Sequence, residues 1–198
     1  MIEEMLNRED LPLSIAEALR RRAPILIEDR ESRYRHGAVL IPLFRDGGEY
    51  KILFIKRTET LEVHRGQISF PGGRIDSEDL SLQEAALRET EEEIGLPRHA
   101  VNVLGRIDDA RTLSSDFIIH AFLGLVPFPF PFQLNSGEVR GLLEVPLRLF
   151  CKGEEILPVD YEGKIYRNLA YAWDGEVIWG ATARIMKNLV EIIKIALA

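Results

Sequence analysis

The chain has 198 residues, 46% hydrophobic and 29% charged, and its 25 basic and 32 acidic side chains give a net charge of −7. This length suits one soluble domain, and the single cysteine, Cys151, excludes a disulfide framework within the chain. The acidic balance argues against nucleic-acid binding, and the absence of a secretory signal and of an apolar run near ~20 residues predicts a cytoplasmic protein without a membrane partner.

A short helix is predicted near the N-terminus. Ser14 followed by Glu17 is a capping-box pattern, and apolar residues follow it at helical spacing. We therefore predict a helix over about residues 14–23. We assign residues 1–34 to an N-terminal helical appendage and residues 35–198 to the main domain.

Two β-rich apolar runs follow, at residues 38–44 and 50–55. The residues between them include Asp46, Gly47 and Gly48, a turn sequence typical of a β-hairpin. We expect these two strands to pair directly.

A second helix is predicted by another capping box, Ser81 with Glu84. It should run to about Ile94, because Gly95 can supply a left-handed cap and Pro97 cannot continue a helix.

The rest of the chain contains mainly strand signals. A final helix is predicted over about residues 182–197 from an apolar stripe at helical spacing. The phenylalanines at 128, 130 and 132 alternate with prolines, which excludes an ordinary central strand there. Further strands are predicted over 101–107, 118–126, 138–145, 166–172 and 177–179. The irregular mixture of strands and helices favours an α/β or α+β domain with a mixed sheet.

The most informative stretch is the acidic segment from Arg88 to Glu93. On a helix, Glu89, Glu92 and Glu93 occupy positions i, i+3 and i+4, so they share one face and repel one another. A solvated charged face is the alternative interpretation of such a run. The Phe-Pro-Gly-Gly loop before the helix and Arg88, four residues before Glu92, favour a functional site.

Clustered carboxylates suit a hard divalent cation, either Mg²⁺ or Mn²⁺. Gly72 and Gly73 have no side chains and can bring a backbone carbonyl close to such an ion. Bound cations of this kind can stabilise the oxygens of a phosphoryl displacement and acidify a bound water. The implied reaction is hydrolysis of a phosphoanhydride.

The segment GGRIDSEDLSLQEAALRETEEEIGL resembles the signature of the Nudix hydrolases, which cleave nucleoside diphosphates linked to another moiety. Thr90 replaces the usual aliphatic residue. Gly73 and Arg88 are 15 positions apart, one more than in the usual pattern. Asp79 then stands where the family has a loop glutamate, with Glu78 beside it.

The resemblance implies an α/β/α sandwich with a mixed sheet, and it also implies roles for single residues. Glu89, Glu92 and Glu93 would bind the metals, and the Gly73 carbonyl would complete the ligand set. Arg88 would orient a glutamate. The general base is left open between Glu92 and Glu138.

The segment from Arg57 to Gly73 is similar to the upstream motif of coenzyme A pyrophosphatases. Arg57, His64, Gln67 and Phe70 are therefore candidate substrate-binding residues. Local loop hydrogen bonds are the alternative for His64 and Gln67, and packing onto the sheet is the alternative for Phe70. Further matches lie at 135–139, 143–147 and 179–184.

One departure within this motif concerns charge. Glu62 stands where the motif usually has arginine, and Arg57, Arg65 and Arg111 are candidates to compensate for the lost cation. His36, His99, His120 and Cys151 are assigned no chemistry, and Asp108 and Asp109 are predicted to be loop caps.

We therefore expect metal-dependent hydrolysis of coenzyme A or acyl-coenzyme A to adenosine 3′,5′-bisphosphate and a 4′-phosphopantetheine species. One alternative is another Nudix substrate, such as ADP-ribose or a dinucleotide polyphosphate. The other is a catalytically silent module that senses a nucleotide. The expected partner is a small nucleotide, and a homodimer is compatible with the sequence.

Overall fold

The computed structural model describes residues 2–59, 66–112, 116–161 and 163–198. These residues form a mixed sheet of eight strands and a second, antiparallel sheet of three. The helices of this part of the chain are α1 (Ile2–Met5), α2 (Leu11–Arg21), α3 (Leu82–Ile94), α4 (Leu147–Cys151) and α5 (Gly180–Ala196), with a 3₁₀ turn at Arg98–Ala100. The strands are β1 (Arg35–Asp46), β2 (Glu49–Arg57), β3 (Ile68–Ser69), β4 (Gly72–Arg74), β5 (Asn102–Arg106), β6 (Ala110–Arg111), β7 (Phe117–Leu125), β8 (Val139–Pro146), β9 (Glu155–Tyr161), β10 (Lys164–Trp173) and β11 (Glu176–Trp179).

Strand β1 is the centre of the larger sheet. It pairs in parallel with β7 along one side, from Arg35 to Leu43. Along its other side it pairs antiparallel with β2 over Leu43–Asp46 and with β4 over Gly37–Val39. The short glycine strand β4 thus becomes the neighbour of β1 where β2 has left it. This arrangement puts Gly73 opposite Ala38, inside the sheet.

The larger sheet is covered on both faces. Helix α3 packs over one face, where Leu87 and Ile94 join Leu40 and Leu53 in a buried cluster. Helices α2 and α5 contribute to the main core on the other face, together with residues of the second sheet. The expected α/β/α sandwich with a mixed sheet is confirmed. No helix within the described ranges combines the length and the apolar character of a bilayer span.

The predicted hairpin is confirmed, with strands longer than expected. Asp46 pairs with Glu49, so the turn consists of Gly47 and Gly48, whose φ angles are +57° and +85°. Two consecutive positive φ angles define the tight turn that glycine adopts without strain. The local sequence therefore determines the register of β1 and β2.

The N-terminal helix differs from its prediction. Helix α2 begins at Leu11 and contains Pro12 in its first turn, and Ser14 lies inside it, donating its backbone N–H to the Asp10 carbonyl at 3.0 Å. Proline fits the first turn because no intrahelical N–H bond is lost there. Leu11 and Ile15 are fully buried in the main core. The domain boundary at residue 35 stays a prediction, although this helix contributes to the core.

The final helix and most later strands agree with the sequence within a few residues. The short elements α1, β3, β4, β6 and α4 were not predicted, and neither was the longer strand β9. Its residues include Pro158 and Asp160, which are unfavourable in a strand. Strand β9 pairs only on one side, with β10, in the described part of the chain. An edge strand tolerates such residues because half of its backbone groups need no ladder partner.

Candidate functional site

Helix α3 is fixed at both ends by the residues the sequence indicated. The Ser81 hydroxyl accepts the Glu84 N–H at 3.1 Å, and Gly95, at φ +70°, donates its N–H to the Glu91 carbonyl at 2.9 Å. Thr90 is fully buried and donates its hydroxyl to the Ala86 carbonyl at 2.7 Å, which explains how it replaces an aliphatic residue. The predicted helix is confirmed.

Glu93 is the buried carboxylate of the site, with only 2% of the residue exposed. Its Oε2 accepts the Gly72 N–H at 2.8 Å, and Nη1 of Arg57 lies 3.6 Å from its Oε1. Burial raises the pKa of Glu93 to about 7, while the Gly72 N–H and Arg57 act in the opposite direction. The charges of Glu138 and Glu89 raise this pKa further.

Glu89 lies against Gly73. A Cβ atom built on Gly73 would overlap the Glu89 carboxylate, so any other residue at this position would displace the end of that side chain. Burial raises the pKa of Glu89, and Arg88, which contacts its Oε1 at 3.0 Å, acts against the rise. The glycine strand β4 and helix α3 are therefore in contact through the Gly73 backbone and the Glu89 carboxylate.

Arg88 organises the loop before the helix. Its Nε and Nη2 donate to the two carboxylate oxygens of Asp79, each at 2.9 Å, and Nη2 also donates to the Arg74 carbonyl at 3.0 Å. Asp79 is nearly buried, and Arg88 holds the pKa of its carboxyl below the usual value. Glu78 is exposed. Asp79 is thus the loop acid that contacts Arg88.

Glu92 is the outermost of the three helical glutamates. Its side chain is 57% exposed, and its Oε2 lies 3.2 Å from Nη1 of Arg88, the same nitrogen that contacts Glu89. Glu89 and Glu92 therefore share one face and one cation. The repulsion expected between them is reduced by this arginine.

A long loop carries Glu138 to the same place. The N–H groups of Gln133 and Asn135 donate to the carbonyls of Ile94 and Glu93, at 3.0 and 2.9 Å, so the loop is tied to the end of α3. The Glu138 carbonyl accepts the Thr58 N–H at 2.9 Å. The three loop phenylalanines, at 128, 130 and 132, pack on the buried cluster beneath α3 and so anchor the loop.

The donor set suits a hard divalent cation. Glu89 and Glu93 are desolvated carboxylates with raised pKa values, so a nearby positive charge would relieve their mutual repulsion. As the side chains stand, no three carboxylate, imidazole or thiol groups of the described residues surround one point. Glu92 would have to turn from Arg88 to join the other two.

The predicted substrate residues have different surroundings. Arg57 is half-buried beside Glu93, and Gln67 accepts the Arg57 N–H on its backbone carbonyl at 3.0 Å. Phe70 is 3% exposed and stacks on Phe54 with 4.9 Å between ring centroids. That position supports the packing alternative for Phe70. We therefore do not propose Phe70 as a substrate-binding residue. His64 lies outside the described residues, as do Glu62 and Arg65.

A polar network was missed by the sequence analysis. His36 Nδ1 lies 2.9 Å from His120 Nε2, and His120 Nδ1 lies 2.9 Å from Asp109 Oδ1. Asp109 also accepts the Ile27 N–H at 3.1 Å and contacts Arg106 at 2.8 Å. Asp109 and its neighbour Asp108 therefore hold the segment after α2 on the sheet, beyond the loop-cap role expected of them.

Comparison with known proteins gives a consistent result. The family model of the NUDIX domain matches residues 34–163. Proteins named uncharacterized Nudix hydrolase NudL, from Yersinia pestis (strain Pestoides F) and Yersinia pseudotuberculosis serotype O:1b (strain IP 31758), are 38% identical over 163 residues. This alignment covers 81% of the chain and 81% of each relative.

Two solved structures share the fold. A C. elegans Ap4A hydrolase binary complex aligns with a TM-score of 0.54 and 15% identity, over 82% of this chain and 97% of that one. A MutT/nudix family protein from Enterococcus faecalis aligns with a TM-score of 0.56 and 12% identity, over 85% of this chain and 65% of that one. At these identities the likeness concerns the fold alone.

Proposed function

The chain belongs to the Nudix hydrolase family, and we propose that its substrate is coenzyme A or an acyl derivative. Membership makes it a pyrophosphatase, an enzyme that cleaves the phosphoanhydride bond of nucleoside diphosphate derivatives. In the proposed reaction water attacks one phosphorus of the diphosphate and the bridging bond breaks. The products are adenosine 3′,5′-bisphosphate and 4′-phosphopantetheine or its acyl form.

Glu89, Glu92 and Glu93 are the proposed metal ligands, together with the Gly73 carbonyl. The observation that carries this assignment is the packing of the Glu89 carboxylate on Gly73, beside the buried Glu93. When bound, Mg²⁺ or Mn²⁺ supplies charge stabilisation for the diphosphate and acidifies a water. Arg88 is a positioning residue, since it contacts Glu89 and Glu92 and is itself held by Asp79.

The general base is proposed from two candidates. Glu138 is half-buried, and its charge raises the pKa values of both Glu89 and Glu93, which supports a position beside the ligands. Glu92 is exposed and paired with Arg88, which suits a metal ligand that turns when the ion binds. We therefore assign proton abstraction from the attacking water to Glu138 and keep Glu92 as the alternative.

The choice of coenzyme A rests on the sequence from Arg57 to Gly73 and on the position of Arg57. Its guanidinium lies 3.6 Å from Glu93, so a diphosphate held by metals at Glu93 would be within reach of this cation. Gln67 is joined to Arg57 by a backbone hydrogen bond and is kept as a further substrate contact. His64 remains a proposed substrate-binding residue because of its position in the motif alone.

Two rivals share most of this chemistry. Another nucleoside diphosphate derivative, such as ADP-ribose or a dinucleotide polyphosphate, would use the same metal ligands. A nucleotide-sensing module would bind without turnover, but the full carboxylate set and the Arg88–Asp79 pair favour an enzyme. A cytoplasmic location and a small-molecule partner belong to the proposal, and a homodimer is compatible with it.

The test is a substrate panel with Mg²⁺ and with Mn²⁺, containing coenzyme A, acetyl-coenzyme A, ADP-ribose and diadenosine tetraphosphate. We expect kcat/KM for a coenzyme A substrate to exceed that for the others by at least about tenfold, a difference of about 1.4 kcal/mol. Mass spectrometry should detect adenosine 3′,5′-bisphosphate. Equal or better hydrolysis of ADP-ribose would overturn the substrate assignment, and tight binding without turnover would favour the sensor.

A further inference from the structure

Asn135 lies where two parts of the proposed site meet. Its backbone N–H donates to the Glu93 carbonyl at 2.9 Å, so this residue is attached to the helix that carries the proposed metal ligands. Its own carbonyl accepts two N–H groups, that of Glu138 at 3.0 Å and that of Val139 at 2.8 Å. Through its backbone, Asn135 therefore joins the end of α3 to the start of β8.

The side chain of Asn135 makes two further hydrogen bonds in the same turn. Its Oδ1 accepts the Gly137 N–H at 3.1 Å, a contact of the kind that stabilises Asx turns. Its Nδ2 donates to Oε1 of Glu138 at 3.3 Å. Because a backbone N–H needs the amide oxygen as its acceptor, the NH2 group is the half of the amide that faces the Glu138 carboxylate.

The backbone of Glu138 is held from two sides. Its N–H donates to the Asn135 carbonyl, and its carbonyl accepts the N–H of Thr58, just after β2, at 2.9 Å. The Thr58 hydroxyl also donates to the Gly137 carbonyl at 3.1 Å. With both backbone groups of Glu138 bonded, the freedom left to this residue lies in its side chain, which is rich in rotamers. The Asn135 amide restricts that freedom.

The kind of donor at this position matters for the chemistry. A general base has to stay within hydrogen-bonding distance of the water that it deprotonates. A hydrogen bond to an ionised carboxylate is roughly twice as strong as one between neutral groups, so a single amide can hold such a side chain in one conformation. The amide is also neutral. It orients the Glu138 carboxylate without the opposing charge that a lysine or an arginine would place beside a base.

We infer that Asn135 is a positioning residue for the general base, and that its Nδ2 holds the Glu138 carboxylate in the conformation that accepts the proton of the attacking water. This inference rests on the proposed function, in which Glu138 is that base. Because the amide contacts Glu138, its effect on turnover passes through this carboxylate. Loss of the amide should therefore lower kcat and leave KM and metal affinity close to their wild-type values.

Three substitutions of Asn135 separate its two side-chain contacts. Asn135→Asp keeps an oxygen that can accept the Gly137 N–H but removes the donor to Glu138. Asn135→Ala removes both, and Asn135→Ser supplies a hydroxyl that can accept and donate more weakly. We expect kcat to fall by about 10- to 100-fold in the aspartate and alanine variants and by less in the serine variant. The thermal midpoint should fall in the alanine variant and stay near the wild-type value in the aspartate variant.

A double-mutant cycle tests whether Asn135 acts through the base. In the Glu138→Gln background, Asn135→Asp should change kcat by less than about twofold, because no carboxylate is left to orient. Ser136→Asp is the matched control, since it adds the same charge to an exposed residue of the turn and keeps the amide. Rates are measured with the panel substrate that the wild-type protein hydrolyses fastest. Manganese titration should give the same affinity for all of these variants.

A kcat near the wild-type value in Asn135→Asp, or equal fold-losses in the two backgrounds, would overturn the inference while leaving hydrolysis and the Glu138 assignment intact. Full activity of Glu138→Gln would overturn it together with the assignment of the base. Hydrolysis of no panel substrate by the wild-type protein would overturn the proposed function as well. The aspartate and serine variants decide the question even if the alanine variant does not fold.

Discussion

Arg88 and Asp79 form a two-point ion pair, with Nε to Oδ1 and Nη2 to Oδ2 distances of 2.9 Å each. The Asp79 side chain is only 4% exposed, and the same guanidinium contacts Glu89 and Glu92 through Nη1. The loop aspartate therefore determines where the arginine lies between two proposed metal ligands. Because the pair joins the loop to the helix, we propose that it acts on the site by positioning Glu89 and Glu92.

Replacing Asp79 with asparagine should remove the charge that orients Arg88. We expect kcat to fall by at least about tenfold with a smaller change in KM, and the free energy of unfolding to fall by about 1–3 kcal/mol. Steady-state kinetics and urea denaturation measure both. Glu78→Gln is the matched control, since Glu78 is the exposed neighbour. Equal losses of kcat and of unfolding free energy in the two variants would contradict a specific role for Asp79.

Gly73→Ala tests the close approach of Glu89. The added methyl group would overlap the Glu89 carboxylate, so either the glycine strand or the carboxylate must shift. We expect turnover to fall by about 10- to 100-fold, because metal ligands tolerate little displacement. Gly141→Ala is the control, since nothing lies within 4 Å of the new methyl group there. Full activity of Gly73→Ala would contradict a role in turnover for the contact between Glu89 and the glycine strand.

The pH dependence of stability tests the burial of Glu93. Because burial raises its pKa from 4.5 to about 7, the folded protein binds this proton more tightly than the unfolded chain does. In chelator, the free energy of unfolding should therefore fall as the pH rises from about 5 to about 7.5, by up to about 3 kcal/mol from Glu93. The carboxyls whose pKa values are lowered in the folded protein, such as those of Asp79 and Asp109, change the free energy of unfolding at lower pH.

Glu93→Gln provides the comparison for this measurement. Denaturant melts at several pH values should give the variant a weaker decline over the same range, because glutamine does not titrate. Identical pH profiles for the wild-type protein and the variant would show that Glu93 does not retain its proton on folding.

Asp109→Asn tests the missed network. Asp109 is 1% exposed at its side chain and is contacted by His120, Arg106 and the Ile27 N–H. Removing its charge leaves Arg106 without its buried partner, so we expect a loss of about 2–4 kcal/mol in unfolding free energy. Thermal denaturation measures it, with Glu28→Gln on an exposed ion pair as control. A loss below about 0.5 kcal/mol would contradict the account.

The features that sequence predicted well are encoded locally. The caps of α3, the glycine turn of the first hairpin and the shared face of Glu89 and Glu92 each depend on residues a few positions apart. The predicted start of α2 was wrong because the Ser14–Glu17 pattern lies inside a helix that begins at Leu11, with Pro12 in its first turn. Strand β9 was missed because its pairing with β10 outweighs unfavourable residues.

The features that sequence missed join distant residues. His36 and His120 are 84 positions apart, and nothing in their spacing indicates that the parallel pairing of β1 and β7 brings them together. The contact between Arg57 and Glu93 likewise depends on the way β2 passes α3. For Asp79 the extra loop residue made the assignment ambiguous from sequence, and in the structure Asp79 is the loop acid that contacts Arg88.

Manganese titration tests the central claim most directly. Unbound Mn²⁺ can be followed by electron paramagnetic resonance as it is added to the wild-type protein, to Glu89→Gln and to Glu93→Gln. Glu91→Gln is the control, because Glu91 lies on the same helix but pairs with Arg98. We expect each of the two test variants to bind Mn²⁺ at least about tenfold more weakly, and the control to match the wild type. Equal binding by all four proteins, or none by the wild type, would contradict a metal site on this helix.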